Sequence, residues 1–454
     1  MTRFPLLRPF SQSLIPIFGV IALSACADGV PPSAPLVTGV AVEARAASTG
    51  LAVKSTKPDT ATVDSTLDVH VFGSGFDVGS RADWALQGVV SPKVATNSTR
   101  FVSSTELVAN ISIARDATLA SYDVMVTTSS GKGGIGTELF VIMAKTTDLG
   151  TLGGTQSEAL GINNLTQVVG WSYVASGVEH AFLWTKEGGM RDLGTLGGTT
   201  SRAYAINDKG QVVGASANAA GQTHAFLWTA AAGMQDIGTP GGTRSQALAI
   251  NENGDIAGTD MFYQGFENAV VWIGGVQEYL GTPYTRATAI NNALQVVGYG
   301  GLSTSTAYLW TKSGGVWTSE AIPAPTGGNT SLAYGINELG QIAGGFRAAT
   351  GSRHAFSWTR AGGSIELPPI PNGKENWAYA IDDFGRIAGW GNDKSNLSNP
   401  HPTVWDPTQT GWTARVVPTA TRTDQWINAV NNRHQAVGRG RKSTLSRATL
   451  WDVP

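Results

Sequence analysis

Arg202-Ala203-Tyr204-Ala205-Ile206-Asn207-Asp208-Lys209-Gly210-Gln211-Val212-Val213-Gly214 is followed, nine residues on, by His224-Ala225-Phe226-Leu227-Trp228. The first stretch predicts two short strands joined by a tight turn, because Asn, Asp and Gly tolerate the positive φ values that hairpin turns require. The second predicts a third strand, and Met234-Gln235-Asp236-Ile237, after the Ala232-Gly233 turn, a fourth. A lone four-stranded sheet would leave both faces wet, so such a unit must stack on neighbours.

Neighbours are present. The Ala-x-[Ala/Gly]-Ile-Asn core ends at Asn163, Asn207, Asn251, Asn291 and Asn337, with variants ending at Asp382 and Asn431. The intervals are 44, 44, 40, 46, 45 and 49 residues, and a Trp follows each landmark by 19 to 23 residues, from Trp184 to Trp451. Seven units of four antiparallel strands predict a β-propeller over residues 146–454. Thr147-Asp148-Leu149-Gly150-Thr151-Leu152 copies Asp192-Leu193-Gly194-Thr195-Leu196, although no complete unit precedes it, and the last copy stops at Trp451-Asp452-Val453-Pro454 without that strand. The entering strand is therefore expected to complete the seventh blade and remove two exposed edges. Three-plus-one and two-plus-two closures both fit, as does an open solenoid, which would need capping units the sequence does not show.

His-Ala-Phe-Leu-Trp at 180–184 and 224–228, His-Ala-Phe-Ser-Trp at 354–358 and Asp-Leu-Gly-Thr-Leu-Gly-Gly at 148–154 and 192–198 resemble the HAF family of extracellular repeats. The resemblance covers about two thirds of the chain and implies architecture and location; it transfers no reaction and no ligand.

The chain has 454 residues, 41% apolar, with 14% charged side chains and 57 Gly. This is poorer in charge and richer in Gly than typical soluble domains, which argues against long coiled coils and solvated disorder. A formal charge of −2 gives no electrostatic case for nucleic acid. Arg3 and Arg8 precede an apolar run from Leu14 to Leu23, too short for a permanent span, so residues 1–25 read as a signal peptide. Leu23-Ser24-Ala25-Cys26 resembles the lipobox of bacterial lipoproteins, which implies acylation of Cys26, the only cysteine, and an anchored cell-envelope protein facing periplasm or surface; Ala27 after the Cys implies outer-membrane sorting.

Residues 26–55 read as a flexible tether. From 56 to 144, short alternating runs predict a β-sandwich: Thr66–Phe72, Phe101–Leu107, Tyr122–Val126 and Leu139–Ile142. The Gly73-Ser74-Gly75-Phe76 turn and the Phe101–Leu107 run resemble IPT/TIG immunoglobulin-like domains, which implies a spacer or interaction unit. The expected fold is all-β, an N-terminal Ig-like β-sandwich followed by a seven-bladed β-propeller closed by an N-terminal strand.

No catalytic motif stands out. His180, His224, His354 and His401 hold one repeat position, as do Asp148, Asp192 and Asp236, which predicts structural roles rather than a shared metal. Asn251–Asp255 and Ile381–Gly385 offer carboxylates for a weak Ca²⁺, but hairpin turns explain them. No catalytic residue, metal ligand or cofactor is expected.

Binding is expected where copies differ. One variable column follows Val-Val-Gly and includes Trp171, Tyr299, Trp390 and Arg439; another lies five before the landmark and includes Arg202, Arg286, Trp377 and Trp426. If Asn163 pairs with Gln167, residue sums of 330 put Glu158 opposite Ser172 and both columns at the end of the hairpin away from its turn. These eight residues are the candidate binding rim, of types enriched in hot spots; packing between blades is the alternative. The expected function is a non-enzymatic, monomeric binding or scaffold module for a glycan or an envelope protein. A polysaccharide-active enzyme working at the propeller axis and a structural part of an envelope assembly are the rivals.

Overall fold

The computed structural model describes residues 50–238, 243–261, 266–301, 304–393, 400–418, 425–442 and 445–453. Cys26 and the expected signal peptide lie outside them, as does most of the expected tether. Among the described residues every regular element is a β-strand.

Two packed sheets come first. Strands Ala52–Lys57, Ser65–Ser74, Glu106–Ile113 and Val94–Ser103 form one, in that order. Thr60–Thr62, Gly133–Met143, Ser121–Thr127, Arg81–Leu86 and Val89–Val90 form the other. Trp84 meets Phe140 edge-on at 5.8 Å in the core between them. The first strand begins at Ala52, ahead of the boundary expected at 56. Phe101–Leu107 is a hairpin rather than one strand: Ser103 ends one strand, Glu106 begins the next, and Ser104 and Thr105 turn between them.

Among the described residues, seven four-stranded antiparallel sheets follow, in a propeller-like succession. Their first strands are Gly153–Ile162, Gly197–Ile206, Arg244–Ile250, Thr285–Ile290, Gly328–Ile336, Gly373–Ile381 and Trp426–Asn431, numbered here as sheets 1 to 7. Within sheets 1 to 6 the strands lie in sequence order, and the first strands neighbour one another from sheet to sheet, including sheet 7 against sheet 1. The fourth strand of sheet 7 is Thr146–Asp148, paired with Leu445–Asp452 through Thr146 to Trp451 and Asp148 to Thr449. Three strands from the C-terminal end and one from the N-terminal end thus complete it.

Side-chain amides lock the first strands into a circle. Asn163 donates from Nδ2 to the Asn207 carbonyl, Asn207 to that of Asn251, Asn251 to Asn291, Asn291 to Asn337, and Asn337 to Asp382. Asn431 donates back to the Asn163 carbonyl. The step from Asp382 to sheet 7 is missing, because a carboxylate has no N–H to give. One residue further on, a second circle is complete: the backbone N–H of Asn164, Asp208, Glu252, Asn292, Glu338, Asp383 and Asn432 each reaches the side chain of the next, and Asn432 returns to Asn164. An open solenoid cannot make these returning bonds.

A second tie joins the third strand of each sheet to the first strand of the next. The Ala181 N–H donates to Ser201 Oγ at 2.9 Å, Ala225 to Ser245, Ala269 to Thr285, Ala307 to Ser331, Ala355 to the Asn376 amide oxygen, and Ala448 to Ser157. In sheet 6 the equivalent donor position is Pro402, which has no N–H, and the acceptor position is Gln425 rather than Ser. Ser201 is buried and also donates to the Gly194 carbonyl. Ser201→Ala should therefore leave the Ala181 N–H without an acceptor and cost about 1–3 kcal/mol, read as a lowered urea midpoint at unchanged slope.

Every first strand carries a bulge, with register shifts at Ala159/Gly161, Ala203/Ala205, Ala247/Ala249, Ala287/Ala289, Ala333/Gly335, Ala378/Ala380 and Ile427/Ala429. This corrects the register expected from the hairpin turn. Residue sums of 330 hold for Gly161–Val169 and Ile162–Val168, but beyond the extra residue Glu158 pairs with Trp171 and Ser157 with Ser172. The bulge also explains the Gly of Val-Val-Gly. A Cβ on Gly170, Gly214 or Gly298 would lie within 2.0, 2.0 or 1.8 Å of the carbonyl oxygen of Glu158, Arg202 or Arg286.

Candidate functional site

The seven bulged residues are Leu160, Tyr204, Leu248, Thr288, Tyr334, Tyr379 and Asn428, the x of the Ala-x-[Ala/Gly]-Ile-Asn repeat. A bulge re-aims a side chain out of the ladder, and all seven line one cavity of about 440 Å³ with Arg244, Gln246, Arg286 and Tyr299. A cavity touched by every first strand lies on the axis of the circle. Its size falls within the range of about 300–1,000 Å³ typical of small-molecule sites.

The cavity is lopsided in chemistry. Tyr299, Tyr334 and Tyr379, from sheets 4, 5 and 6, make an edge-on chain with centroids 5.4 Å apart at each step. Burial pushes the phenols of Tyr204, Tyr334 and Tyr379 above their ordinary range, so they remain hydroxyl donors and acceptors at neutral pH. Beside them stand Arg244 of sheet 3 and Arg286 of sheet 4, the latter paired across the strands with Tyr299. Burial works against the Arg286 charge, but Glu267 at 3.7 Å, with Tyr299 and Tyr204, more than offsets it. Its Nη2 donates to the Gln246 amide oxygen at 2.9 Å. Among the described residues the lining holds two guanidiniums and no carboxylate.

The far end of the axis is acidic. Asp208, Glu252, Glu338 and Asp383 belong to the second hydrogen-bonded circle, which is six residues along the first strand from Gln246 and Arg286, about 20 Å at strand rise. Burial first, then Asp383 and Glu252, raises the Glu338 carboxyl. Among the described residues no three His, Cys, Asp or Glu side chains group as a metal site. Asn251–Asp255 and Asp382–Arg386 are hairpin turns, closed by backbone bonds from Asn251 to Asp255 and from Asp382 to Arg386.

The eight candidate rim residues divide between the cavity and the seams around it. Arg286 and Tyr299 line it. Arg202 stacks over Trp171 at 5.2 Å and donates to Glu179 at 2.6 Å, on the wall of a second pocket. Trp377 is buried with its ring against Gly345 of the preceding sheet, where a Cβ would come within 2.4 Å of it. Trp390 is buried, lies beneath Arg353 and donates from Nε1 to the Tyr379 hydroxyl at 3.4 Å. Trp426 lies beneath Arg439 at 4.7 Å and donates to Glu158 across the seam between sheets 7 and 1. Five aromatics and three guanidiniums thus surround one end of the axis, the Trp rings chiefly as packing.

Tyr204, Tyr334, Tyr379 and Arg244 line the cavity without being among the expected rim residues. The signal was present in the repeat itself, as the one variable residue inside an otherwise fixed core. The repeated His are held within their sheets, His180 by Asp192 and His224 by Asp236 at 2.8 Å, and His354 by Glu366 at 2.6 Å. Asp192 also caps the Gly194 N–H, and Asp148 caps that of Gly150 in the same way.

No family model and no curated protein matches the chain. Among solved structures, TolB from Acinetobacter baumannii is 7% identical, with 79% of this chain and 67% of that one covered and a TM-score of 0.35. AofleA from Arthrobotrys oligospora is 13% identical over 61% of this chain and 90% of that one, with a TM-score of 0.36. A mutant Aleuria aurantia lectin in complex with Fucalpha1-6GlcNAc is 14% identical over 59% and 99%, with a TM-score of 0.34.

Proposed function

We propose that the chain is a seven-bladed β-propeller binding module of the HAF-repeat type, preceded by an immunoglobulin-like sandwich of the IPT/TIG type and tethered to the cell envelope through a lipid on Cys26. It acts without chemistry of its own, by holding a glycan or an envelope protein at the end of the axis where the first strands begin. The observation that carries this reading is the composition of the axial cavity: phenols, amides and two guanidiniums, with no carboxylate among the described lining residues. Hydrolysis of a glycosidic bond commonly uses a pair of carboxyl groups in unlike environments. The carboxylates near the axis are instead committed to the second hydrogen-bonded circle or, as Glu158 is, to Trp426 and Asn428.

Full-length protein extracted in mild detergent and presented to a glycan array and to solubilised envelope proteins is expected to retain a ligand of one of the two classes, and Tyr334→Ala with Tyr379→Ala to lower that retention at least tenfold. Silence on both screens, or retention unchanged in the double variant, contradicts the reading. Anchoring is tested separately: Cys26→Ser should move the protein from the membrane fraction to the soluble one.

A further inference from the structure

Among the described residues that line the axial cavity, Arg244 is the guanidinium with no carboxylate or amide partner. Arg202 is paired with Glu179 and Arg286 with Glu267 and Gln246, whereas Arg244 is exposed and, among the described residues, has no carboxylate partner. It lines the axial cavity and also a second pocket of about 250 Å³ between the first strands of sheets 2 and 3. Tyr204 and Gln246 are shared by both, so the two spaces are one bent groove with Arg244 at the elbow.

The second pocket exists because of one small residue. The position after Val-Val-Gly is Trp171 in sheet 1, Tyr299 in sheet 4 and Trp390 in sheet 6, but Ala215 in sheet 2, on the pocket wall. Where the column is equally small, at Gly345, the Trp377 ring of the next sheet fills the space. Sheet 3 offers Gln246 at that place instead, and the room stays open.

We infer that this groove takes a short acidic sugar chain, with a carboxylate of the sugar on the Arg244 guanidinium and the ring faces against the axial tyrosines. The inference rests on the glycan-binding reading above and narrows it to one ligand class. A planar fork of N–H donors matches a carboxylate at two points. Phenol rings offer flat apolar faces to the C–H side of a pyranose, while their hydroxyls, with Gln246, exchange hydrogen bonds with its hydroxyls. Glu179, the carboxylate on the side-pocket wall, is paired with Arg202, so the fixed positive charge at Arg244 and Arg286, with an acidic circle roughly 20 Å along the axis, orients an anion toward the arginine end.

The test is calorimetric titration of the full-length protein with trigalacturonate and with its fully methyl-esterified form, which keeps the sugar and removes the charge. The acid is expected to bind at least tenfold tighter than the ester. Arg244→Ala should lower acid affinity at least tenfold and leave ester affinity unchanged, while Ala215→Trp, filling the side pocket, should weaken both without lowering the urea midpoint. Equal binding of acid and ester, or equal competition by inorganic phosphate, overturns the acidic-sugar inference and leaves the glycan-binding reading standing. No binding of either trimer, with glycans retained on the array, overturns the inference alone; no retention of any glycan overturns both.

Discussion

Leu149→Ala is expected to cost as much stability as Leu193→Ala, about 2–5 kcal/mol each. The two leucines hold the same position in the repeat, but their chain contexts differ. Leu193 follows the fourth strand of sheet 1 and is continuous with the rest of it, and its N–H donates to the Ala181 carbonyl. Leu149 follows the lone strand Thr146–Asp148, nearly 300 residues away from the sheet it completes, and its N–H donates to the Ala448 carbonyl. Leu149 is 4% exposed and Leu193 7%. Leu149 packs with Val437, Ala448 and Leu450 of sheet 7 and with Ala159, Phe182 and Trp184 of sheet 1. In a closed ring the seam between sheets 7 and 1 is as firm as any other, so removing three carbons there leaves a cavity that cannot collapse. In an array whose ends merely touch, the entering strand would fray and Leu149→Ala would cost a few tenths of a kcal/mol. Urea midpoints of the two variants decide between these outcomes, and a Leu149→Ala midpoint equal to that of the parent overturns the closed seam.

The period, the landmark residues and the role of the entering strand were legible because each comes from a local pattern repeated seven times. A hairpin turn at Asn207–Gly210 follows from residue types, and the copy of Asp192–Leu196 at 148–152 follows from comparison within one chain. The bulge was not legible by the same means. It shifts register by one residue inside a run that alternates acceptably either way, so counting from the turn put Glu158 opposite Ser172 when it pairs with Trp171. Its trace in sequence is the Gly of Val-Val-Gly, and that glycine has a φ any residue can adopt. What forbids a side chain there is the carbonyl of a residue twelve positions earlier, in Gly170 and Gly214 alike. The error carried into the site. With the bulge unrecognised, variable columns such as 171 and 158 seemed the natural rim, whereas the bulged column alone supplies a side chain from every sheet to the axial cavity. The hydrogen-bonded circles were illegible for another reason, since they join residues 40 to 49 positions apart, and 268 apart at the return, and depend on a curvature that pairwise strand patterns do not encode.

Asp382→Asn should raise stability at pH 7 by about 1–3 kcal/mol, the cost of leaving a buried polar atom without a partner. In sheets 1, 2, 4 and 5 the landmark Asn accepts the N–H four residues on through Oδ1, and its Nδ2 serves the Gln side chain there and the carbonyl of the next sheet. Asp382 keeps the first half of this pattern, with Oδ1 accepting from Phe384 and Arg386. Its Oδ2 takes the place of the missing amide, is buried, and has no hydrogen-bond partner. Asp382 thus has no N–H to offer across the seam to sheet 7, where each of the other six junctions has an amide donor on the next carbonyl. Burial raises the carboxyl above its ordinary value, and the nearby Arg386 charge and the two backbone N–H groups only partly counter it. The sign follows from linkage. Below the unfolded pKa the acid is protonated in both states, and Oδ2–H can donate to the Asn431 carbonyl, completing the circle. As pH rises through the folded value, the unfolded chain gives up its proton more easily than the folded one, so stability is lost. The parent should therefore lose stability from acid toward neutral pH in this component, and Asp382→Asn should remove that slope while adding a permanent donor. Urea midpoints of both proteins measured from pH 4 to pH 8 test it. A variant less stable than the parent at pH 7, or one with the same pH slope, would show that Asp382 is held as a carboxylate by Arg386 and that the circle is open by design at that seam.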